Sequence, residues 1–381
     1  MPTVLVGADI CPIEGNQPYF EKGDAESLFH DLLSDFAAAD LVIANLECPF
    51  IHRPTPILKT GPVFGVPPEC VRGIQKAGID VVCLANNHSF DHGAEGLRST
   101  LKTCADAGIT AVGAGESVAE ARKIHVRKLG GVRVGLLAVA EHEFSIASRK
   151  RPGANPIDLA DFVRNVTEHR AEFDYLIVLV HGAAEFHAPT PRIQDTCRFM
   201  VEMGANAVIV QHPHCLGGYE NYRQGHIVYG QGALVMDEGI YRSLGSFHEG
   251  FLAKLVIDDQ FRSTLDLIPF TQSTPVPGAR KLAAGEAAKL RERVDQRSRQ
   301  ILDPEFVEED WRRFCRGREH TYLSNVLGHG RILRRLNKGG LLERLGYSQA
   351  LLAGVRNAIR CETHREAIET IFRMRDPDSR C

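Results

Sequence analysis

The chain has 381 residues, is 44% hydrophobic and 24% charged, and has a formal net charge of −3 at pH 7. This is an ordinary globular composition with enough length for a large core, and the near-neutral charge argues against the basic face that nucleic-acid binding requires. The 10 cysteines form no Cys-x-x-Cys pair, which indicates a reducing compartment without a disulfide framework.

Strands and helices are predicted to alternate over the first 270 residues. Five apolar runs have the character of strands that stop at polar residues, and they lie at 4–9, 41–47, 82–88, 176–181 and 207–214. Amphipathic patterns predict helices at 25–38, 68–77, 93–107, 158–171 and 192–203. This alternation is typical of an α/β layered fold with crossover connections.

Two predicted hairpins interrupt the alternation. Segment 125–140 turns at Gly130-Gly131, and segment 251–268 turns at 258–260. Antiparallel hairpins inside an α/β chain predict an α/β/β/α sandwich, in which two stacked mixed sheets are flanked by helices. We therefore predict an α/β domain at 1–272, a linker at 275–278 and a helical C-terminal region at 279–381, in which the arginine-rich run 331–344 is a solvated helix face.

The sequence has no sign of a secretory or membrane-spanning segment. It starts directly in a strand pattern, without the basic and apolar regions of a signal peptide. No apolar run approaches the ~20 residues that are needed to span a bilayer. We expect a cytoplasmic protein with no transmembrane segment.

The polar residues at the ends of the five strands are the candidates for a functional site. Loops at the carboxyl ends of strands form the ligand crevice of open α/β sheets, so these residues are expected to share one rim. One such residue usually serves packing or capping, but a full set of carboxylates, imidazoles and amides suits two Mn, Fe or Zn ions that share a bridging carboxylate. The set is Asp9, Asn45, Glu47, Asn87, His88, His181, His212 and His214.

Five motifs occur in order along the chain: Asp9, Asn45-Leu46-Glu47, Ala85-Asn86-Asn87-His88 with Asp91-His92-Gly93, His181-Gly182-Ala183-Ala184-Glu185, and His212-Pro213-His214. In order and spacing they resemble the bacterial capsule-biosynthesis CapA family, the poly-gamma-glutamate synthesis proteins. That family belongs to the wider calcineurin-like metallophosphoesterase fold. The resemblance covers residues 1 to about 270, and the Asn-Asn-His turn with its Asp-x-Gly is the most specific part.

The resemblance implies a role for each residue of the set. Asp9 and His214 would bind one metal ion, and Glu47 would bridge it to a second. His88 would be a general acid that protonates the leaving oxygen, with metal-activated water as the nucleophile. The remaining ligands would be Asn45 for the first ion and Asn87, His181 and His212 for the second.

The sequence departs from the family pattern at four places. It starts Gly7-Ala8-Asp9 instead of Gly-Asp, and Ala183 holds the place of the inner Gly in the His-x-Gly-x-Glu motif. The other two departures concern larger changes. The usual Asp-x-His start of metallophosphoesterases is Asp9-Ile10-Cys11 here, so one imidazole is missing and Cys11 is either a thiolate ligand or a buried non-ligand. The family's Ser-Leu-Gly-Asn-Phe strand is replaced by residues 229–234, where Gly230 and Gly232 could preserve the backbone turn.

Three further residues are candidates for substrate binding. Lys59, in a proline-rich loop, would offer a cation to an anionic substrate, or else is a solvated loop residue. Glu185 would position substrate or hold an imidazole, with an ordinary surface residue as the alternative. Glu220 would line the pocket near the His-Pro-His turn.

The resemblance implies a metal-dependent hydrolase, most simply a phosphoesterase, that is linked to capsule or polyglutamate-type polymer biosynthesis. Its substrate would be an anionic small molecule or polymer. The alternative is a non-hydrolytic accessory or binding subunit for an anionic polymer. The choice between a homo-oligomer and a biosynthetic complex is open at this stage.

Overall fold

A computed structural model describes residues 1–326 of the chain except 60, 240 and 242, and beyond them the single positions 332, 335, 337, 339, 340, 341, 348, 355 and 359. The chain divides into two compact units, Met1–Glu308 and Glu309–Cys381. Most of the arginine-rich run at 331–344 lies outside the described residues, so the prediction of a solvated helix face there is not addressed.

The secondary structure of the described residues is as follows. The strands are β1 (Thr3–Cys11), β2 (Leu41–Leu46), β3 (Val81–Cys83), β4 (Thr110–Val112), β5 (Ala114–Gly115), β6 (His125–Leu129), β7 (Val132–Ala140), β8 (Gly153–Ala154), β9 (Tyr175–His181), β10 (Ala207–Gln211), β11 (Tyr219–Tyr222), β12 (Gly225–Val228), β13 (Ala233–Met236), β14 (Glu249–Ile257), β15 (Ser263–Gln272) and β16 (Ala279–Lys281). The helices are α1 (Gln17–Lys22), α2 (Ala25–Phe29), α3 (Leu33–Ala38), α4 (Val71–Lys76), α5 (Gly93–Asp106), α6 (Val118–Ala121), α7 (Leu159–Glu168), α8 (Pro191–Glu202), α9 (Ala284–Gln300) and α10 (Pro304–Val326).

The first sheet has the strand order β16-β15-β14-β1-β2-β3-β4, and β13 also pairs with β1. Strands β1 to β4 and β13 run parallel, whereas β14, β15 and β16 are antiparallel to their neighbours. The predicted hairpin at 251–268 corresponds to β14 and β15 and is confirmed.

The second sheet has the order β11-β12-β10-β9-β7-β6. Its four central strands are parallel, and the edge strands β6 and β11 are antiparallel to their neighbours. The predicted hairpin at 125–140 corresponds to β6 and β7 and is confirmed. Strands β5 and β8 form a separate two-stranded sheet.

An apolar layer lies between the two large sheets, and each sheet packs helices on its outer face. Val6 and Ile43 of the first sheet share the inner layer with Leu136, Ile177 and Ile209 of the second. Buried strands with apolar residues on both faces produce the continuous apolar runs seen in the sequence. Helices α1, α2 and α4 cover the first sheet, while α7 and α8 cover the second. The predicted sandwich of two stacked mixed sheets is therefore confirmed.

The helices predicted at 93–107 and 192–203 occur as α5 and α8, within one residue of their expected bounds. The one predicted at 158–171 ends at Glu168, the one predicted at 68–77 is a 3₁₀ turn at Pro68–Cys70 followed by α4, and the one predicted at 25–38 is divided. His30 has a φ of 44°, which no continuous α-helix accommodates, and separates α2 from α3. Its ring Nε2 lies 3.2 Å from the carbonyl oxygen of Pro277, so a tertiary contact accompanies the break. An amphipathic pattern does not reveal such a contact.

The compact first unit continues past the predicted boundary at 272–279. Strand β16 extends the first sheet, and α9 buries Leu290 and Val294 in the layer between the sheets. The Tyr219 N–H of β11 donates to Ser298 Oγ of α9 at 2.9 Å. Among the described residues, no helix is both long and apolar enough to cross a membrane.

The carboxyl ends of the parallel strands of both sheets meet at one rim. Asp9 pairs with Asn45 across β1 and β2, and His181 pairs with Gln211 across β9 and β10. The Gln211 amide donates to the Gly7 carbonyl at 2.8 Å, so the end of β10 is bonded directly to β1. This junction of the two sheets is where the candidate residues lie.

Gly232 is expected to be essential for the turn between β12 and β13. Its φ is +83°, and a Cβ at this position would lie 2.3 Å from the Glu249 carbonyl oxygen. Because both the conformation and the contact oppose a side chain, we predict that Gly232→Ala lowers the free energy of unfolding by about 2–4 kcal/mol. Urea unfolding followed by circular dichroism measures this loss.

Gly108→Ala is the matched control for that substitution. Gly108 also has a positive φ, +74°, but a Cβ at this position would meet no atom of the described residues within 4 Å. We expect a loss of about 1 kcal/mol, from backbone conformation alone. Equal losses in the two variants would show that the close approach at Gly232 does not matter.

Candidate metal centre

The first sheet brings two carboxylates to the rim. Asp9 lies near the end of β1, where the register with β2 shifts between Val6 and Asp9, and Glu47 directly follows β2. Such an irregularity re-aims side chains at a strand end. Both carboxylates are buried, so they require donors or cations around them.

The second sheet contributes three histidines to the same rim. His181 is the last residue of β9, and His212 and His214 follow β10 in the His-Pro-His turn. The φ angles of His212 and His214 are 96° and 50°, a region that costs a non-glycine residue on the order of 1–3 kcal/mol. The His212 N–H donates to Asp9 Oδ2 at 3.1 Å. The strained turn is thus held against the first sheet.

Glu47 lies between two groups of ligand-type atoms. On one side, its Oε1 is 3.4 Å from His181 Nε2 and 3.8 Å from His212 Nδ1. On the other side, its Oε2 is 3.8 Å from His214 Nε2, and His214 Nδ1 is 3.2 Å from Asp9 Oδ2. Within each group the candidate ligand atoms all lie within 4.8 Å of one another. This arrangement suits two cations that share one carboxylate.

Two atoms of these groups are buried without a hydrogen-bond partner among the described residues: Glu47 Oε2 and His212 Nδ1. A buried polar atom left unpaired costs about 1–3 kcal/mol, so a further ligand at the cluster would stabilise it. Carboxylate and imidazole donors suit Mn, Fe or Zn better than Ca, which prefers oxygen alone. The residues therefore fit divalent metal ions.

The charges of the cluster are strongly coupled. Burial alone would raise the pKa of Glu47, but His214 and the imidazoles of His181 and His212 hold that pKa well below its ordinary value. Burial lowers the pKa of His181. For His214, the nearby Glu47 and Asp9 carboxylates overcome burial and raise the pKa to about 9. The two carboxylates thus stabilise positive charge at the site, whether it is carried by protons or by metal ions.

Asn45 connects residues of the cluster. Its Nδ2 donates to Asp9 Oδ1 at 2.8 Å and lies 3.3 Å from His181 Nδ1, while its oxygen accepts from Asn86 at 3.1 Å. In this orientation Asn45 presents its nitrogen, not its oxygen, to the cluster. We therefore treat it as a residue that positions ligands and do not retain the prediction that it completes the shell of the first ion.

Asn86, the first asparagine of the Asn-Asn-His motif, holds the turn after β3 in place. Its Nδ2 also donates to the Leu46 carbonyl at 2.8 Å, and its oxygen accepts from the N–H groups of His88 and Ser89. These bonds fix the turn after β3. The next residue, Asn87, places its Oδ1 3.1 Å from His181 Nε2, beside the predicted second ion.

His88 lies beside the cluster but outside both ligand groups, as the prediction of a non-ligand role requires. Its Nδ1 is 2.7 Å from Asp91 Oδ2, and its ring is buried. Asp91 also forms an ion pair with Lys59 at 2.6 Å. Lys59 is therefore not a solvated loop residue, and its ammonium group is already paired, which also argues against the predicted direct contact with substrate.

Glu185 lies at the rim close to the His-Pro-His turn. Its Oε2 accepts from the Tyr241 hydroxyl at 2.9 Å, and the neighbouring Phe186 N–H donates to the Pro213 carbonyl. Glu238, which sequence reasoning missed, follows β13 at the same rim, and burial, with repulsion from Glu185 among the smaller contributions, raises its pKa to about 7. The sequence did contain an indication of Glu238, because a short apolar run ends there in two acidic residues.

Glu220 occupies a different environment from the other candidates. Its carboxylate accepts two hydrogen bonds from Arg198, each at 2.8 Å, and one from the Tyr229 hydroxyl at 2.9 Å. The side chain is 2% exposed. Both oxygens are used in this network, so the structure does not bring Glu220 together with the cluster, and we do not carry it into the substrate site.

Cys11 is buried in the apolar layer on the outer side of the first sheet. Burial raises the pKa of its thiol well above the ordinary value. Its Sγ lies 3.8 Å from the backbone oxygen of Glu47, and Cys11 is in neither ligand group. These observations favour the buried non-ligand over the thiolate ligand.

The fold and the cluster together define a class: a two-sheet α/β protein with a buried carboxylate–histidine centre suited to metal ions. The family model described as bacterial capsule synthesis protein PGA_cap matches residues 3–238, more than half of the chain. The chain therefore belongs to this bacterial capsule synthesis family, and the family resemblance found in the sequence is confirmed.

Two curated relatives are similar to the chain. The capsule biosynthesis protein CapA of Bacillus anthracis is 31% identical over 218 residues, 55% of this chain and 52% of that protein. The PGA biosynthesis protein CapA of Bacillus subtilis (strain 168) is 29% identical over 263 residues, 68% of each. The chain thus spans about half the length of the first relative and about two thirds of the second.

Among solved structures, 5'-nucleotidase from Candida albicans SC5314 aligns with 83% of this chain and 58% of its own, at 10% identity and a TM-score of 0.41. A likeness of this degree carries no information about activity.

The Glu220 network predicts a stability effect that is separate from the cluster. Glu220→Gln removes the charge from a buried pair and leaves Arg198 uncompensated, so we expect a loss of about 3 kcal/mol in the free energy of unfolding. Glu95→Gln is the matched control, because its pair with Arg53 is largely exposed and screened by water, so its loss should hardly change the stability. Urea unfolding of both variants measures the difference; similar small losses would contradict the assigned network.

Proposed function

We propose that this protein is a metal-dependent hydrolase with phosphoesterase chemistry, and that Glu47, which belongs to both groups of ligand-type residues, would help to hold two divalent cations. One observation supports this more than any other. Two groups of buried ligand-type atoms, one from each side of Glu47, form where the strand ends of both sheets meet. Two of these atoms, Glu47 Oε2 and His212 Nδ1, have no hydrogen-bond partner among the described residues and would be paired by bound cations.

The proposed ligands fall into the two groups of residues that lie on either side of Glu47. Asp9 and His214 would hold the first ion, and His181 and His212 the second, with the Asn87 oxygen close to the latter pair. Mn, Fe and Zn all suit this donor set. Two such ions, when bound, activate water and stabilise the charge that develops on a phosphoryl group.

The chain's own residues supply the proton and the alignment. His88 follows Asn87, whose Oδ1 lies 3.1 Å from His181 Nε2, in the turn after β3. Its Nδ1 is held by Asp91, which leaves Nε2 as the nitrogen that exchanges a proton with a leaving oxygen. Asn45 and Asn86 hold the turn and the ligands together. Substrate alignment therefore rests on a rigid, buried network.

The substrate we propose is an anionic phosphoester connected with capsule or polyglutamate-type polymer biosynthesis. The family to which the chain belongs is described by capsule synthesis, and the two relatives are named for capsule and PGA biosynthesis. The cation pair would attract an anionic group. A cytoplasmic location remains part of this proposal.

One observation favours a second candidate, a non-hydrolytic accessory or binding subunit for an anionic polymer. The first ion would have only Asp9, Glu47 and His214 as protein ligands, because Cys11 replaces the imidazole of the Asp-x-His start and faces away. A site with one weakly held ion would still bind an anion without turning it over.

Two substitutions test the proposed division of roles. His214→Ala removes a ligand, so we expect loss of one of two bound metal ions and of turnover. His88→Ala removes only the proton donor, so both ions should stay while kcat falls by roughly 10²–10⁴-fold. Plasma emission spectrometry of Mn-loaded protein and assays with phosphomonoesters and phosphodiesters supply both readouts.

Three outcomes are decisive. Equal metal loss in the two variants would overturn the assigned roles. Metal binding without turnover of any phosphoester in the parent protein would support the binding subunit instead. Absence of bound metal in the parent would contradict both candidates.

A further inference from the structure

Lys59 lies in an unusual position within an irregular loop. Residues 51–59 and 61–65 form neither helix nor strand, and an isolated bridge between Phe50 and Val66 closes the loop. Within this loop, Leu58 is 97% exposed, whereas the side chain of the next residue, Lys59, is 2% exposed. An apolar side chain faces solvent while a cation is buried, which reverses the usual preference. Specific partners must therefore hold Lys59.

The partners of Lys59 all belong to the turn that carries His88 or lie beside it. The ammonium group is 2.6 Å from Asp91 Oδ1 and donates to the Asn87 carbonyl at 3.1 Å. It is 3.4 Å from His88 Nδ1 and 5.6 Å from the centre of the Phe144 ring. A buried ion pair with these additional contacts is directional and leaves the ammonium little freedom to reach a substrate.

Each oxygen of the Asp91 carboxylate has at least one hydrogen-bond donor. Lys59 donates to Oδ1, and the Phe64 N–H donates to Oδ2 at 2.8 Å. His88 Nδ1 lies 2.7 Å from the same Oδ2. Because a carboxylate paired with an ammonium group carries no proton, the hydrogen in this contact belongs to His88 Nδ1. Its Nε2 is then the nitrogen that takes up a proton, forming the imidazolium, and gives that proton to a leaving oxygen.

We propose that Lys59 is a positioning residue, whose buried ammonium group compensates Asp91 and thereby holds His88 in one orientation and in the Nδ1–H tautomer. This role replaces direct substrate binding by Lys59. Its consequence for catalysis rests on the proposed hydrolase function, whereas its effect on the His88 ring does not.

Further contacts hold the loop around Lys59 in place and so keep Lys59 next to Asp91. The Phe64 ring lies 4.5 Å from the His88 ring, centre to centre. Thr55 bonds His92 twice, through its N–H to Nδ1 at 2.8 Å and through its hydroxyl to the backbone oxygen at 2.9 Å. Contacts of Thr55 and Phe64 thus hold the loop in place before and after Lys59, whose ammonium group pairs with Asp91.

The first test observes the His88 ring directly. Protein labelled with ¹⁵N-histidine is compared by NMR for the parent, Lys59→Met, Lys59→Arg and Lys102→Met, with His88→Gln used to assign the resonances. We expect a single Nδ1–H tautomer in the parent, a mixture in Lys59→Met, and recovery in Lys59→Arg. Lys102→Met removes an exposed lysine paired with Asp106 and should leave the spectrum unchanged.

The second test measures whether Lys59 acts through Asp91. With an alkyl phosphoester, which needs a proton on its leaving oxygen, Lys59→Met should lower kcat by roughly 10–100-fold at unchanged KM. With a p-nitrophenyl ester, which needs no proton, the loss should be small. The double variant Lys59→Met, Asp91→Asn should lose no more kcat than Asp91→Asn alone. Because it removes both charges, it also serves if Lys59→Met alone fails to fold.

The possible results separate this inference from the proposed function. An unchanged His88 tautomer in Lys59→Met would overturn the positioning role, as would a rise in KM for both esters, which indicates substrate binding. If the parent turns over no ester, the hydrolase proposal fails, and the NMR result still decides whether Lys59 orients His88.

Discussion

The structure depends on the burial of two negative charges, on Asp9 and Glu47, at the junction of the two sheets. Removing an uncompensated carboxylate from water costs several kcal/mol, so this junction requires positive charge. Three imidazoles surround the pair, and the raised pKa of His214 shows how strongly the carboxylates favour a cation there. Metal ions would supply the same positive charge and would also bind the unpaired atoms of the cluster.

Stacking of the two sheets creates this junction. The first sheet supplies the carboxylates and the second supplies the histidines, so neither sheet alone has a complete ligand group. The apolar layer between the sheets and the bond from Gln211 to the Gly7 carbonyl set the distance between the two sources. The packing of the core therefore sets the distances between the residues of the candidate metal centre.

Much of the architecture was predictable because buried strands produce continuous apolar runs that end in polar residues. That pattern identified β1, β2, β9 and β10, and with them the residues that the structure brings together around Glu47. The ligand roles remain a prediction. What the sequence did not reveal depends on tertiary contacts: the break at His30, the orientation of the Asn45 amide, and the inward direction of Lys59. Residue type and spacing do not specify which neighbour a loop side chain meets.

Anomalous diffraction at the manganese edge, from crystals grown with manganese, would reveal whether ions bind around Glu47. We expect two anomalous peaks on opposite sides of the Glu47 carboxylate, one beside Asp9 and His214 and the other beside His181 and His212. A single peak away from Glu47, or no peak at the junction of the sheets, would contradict this expectation.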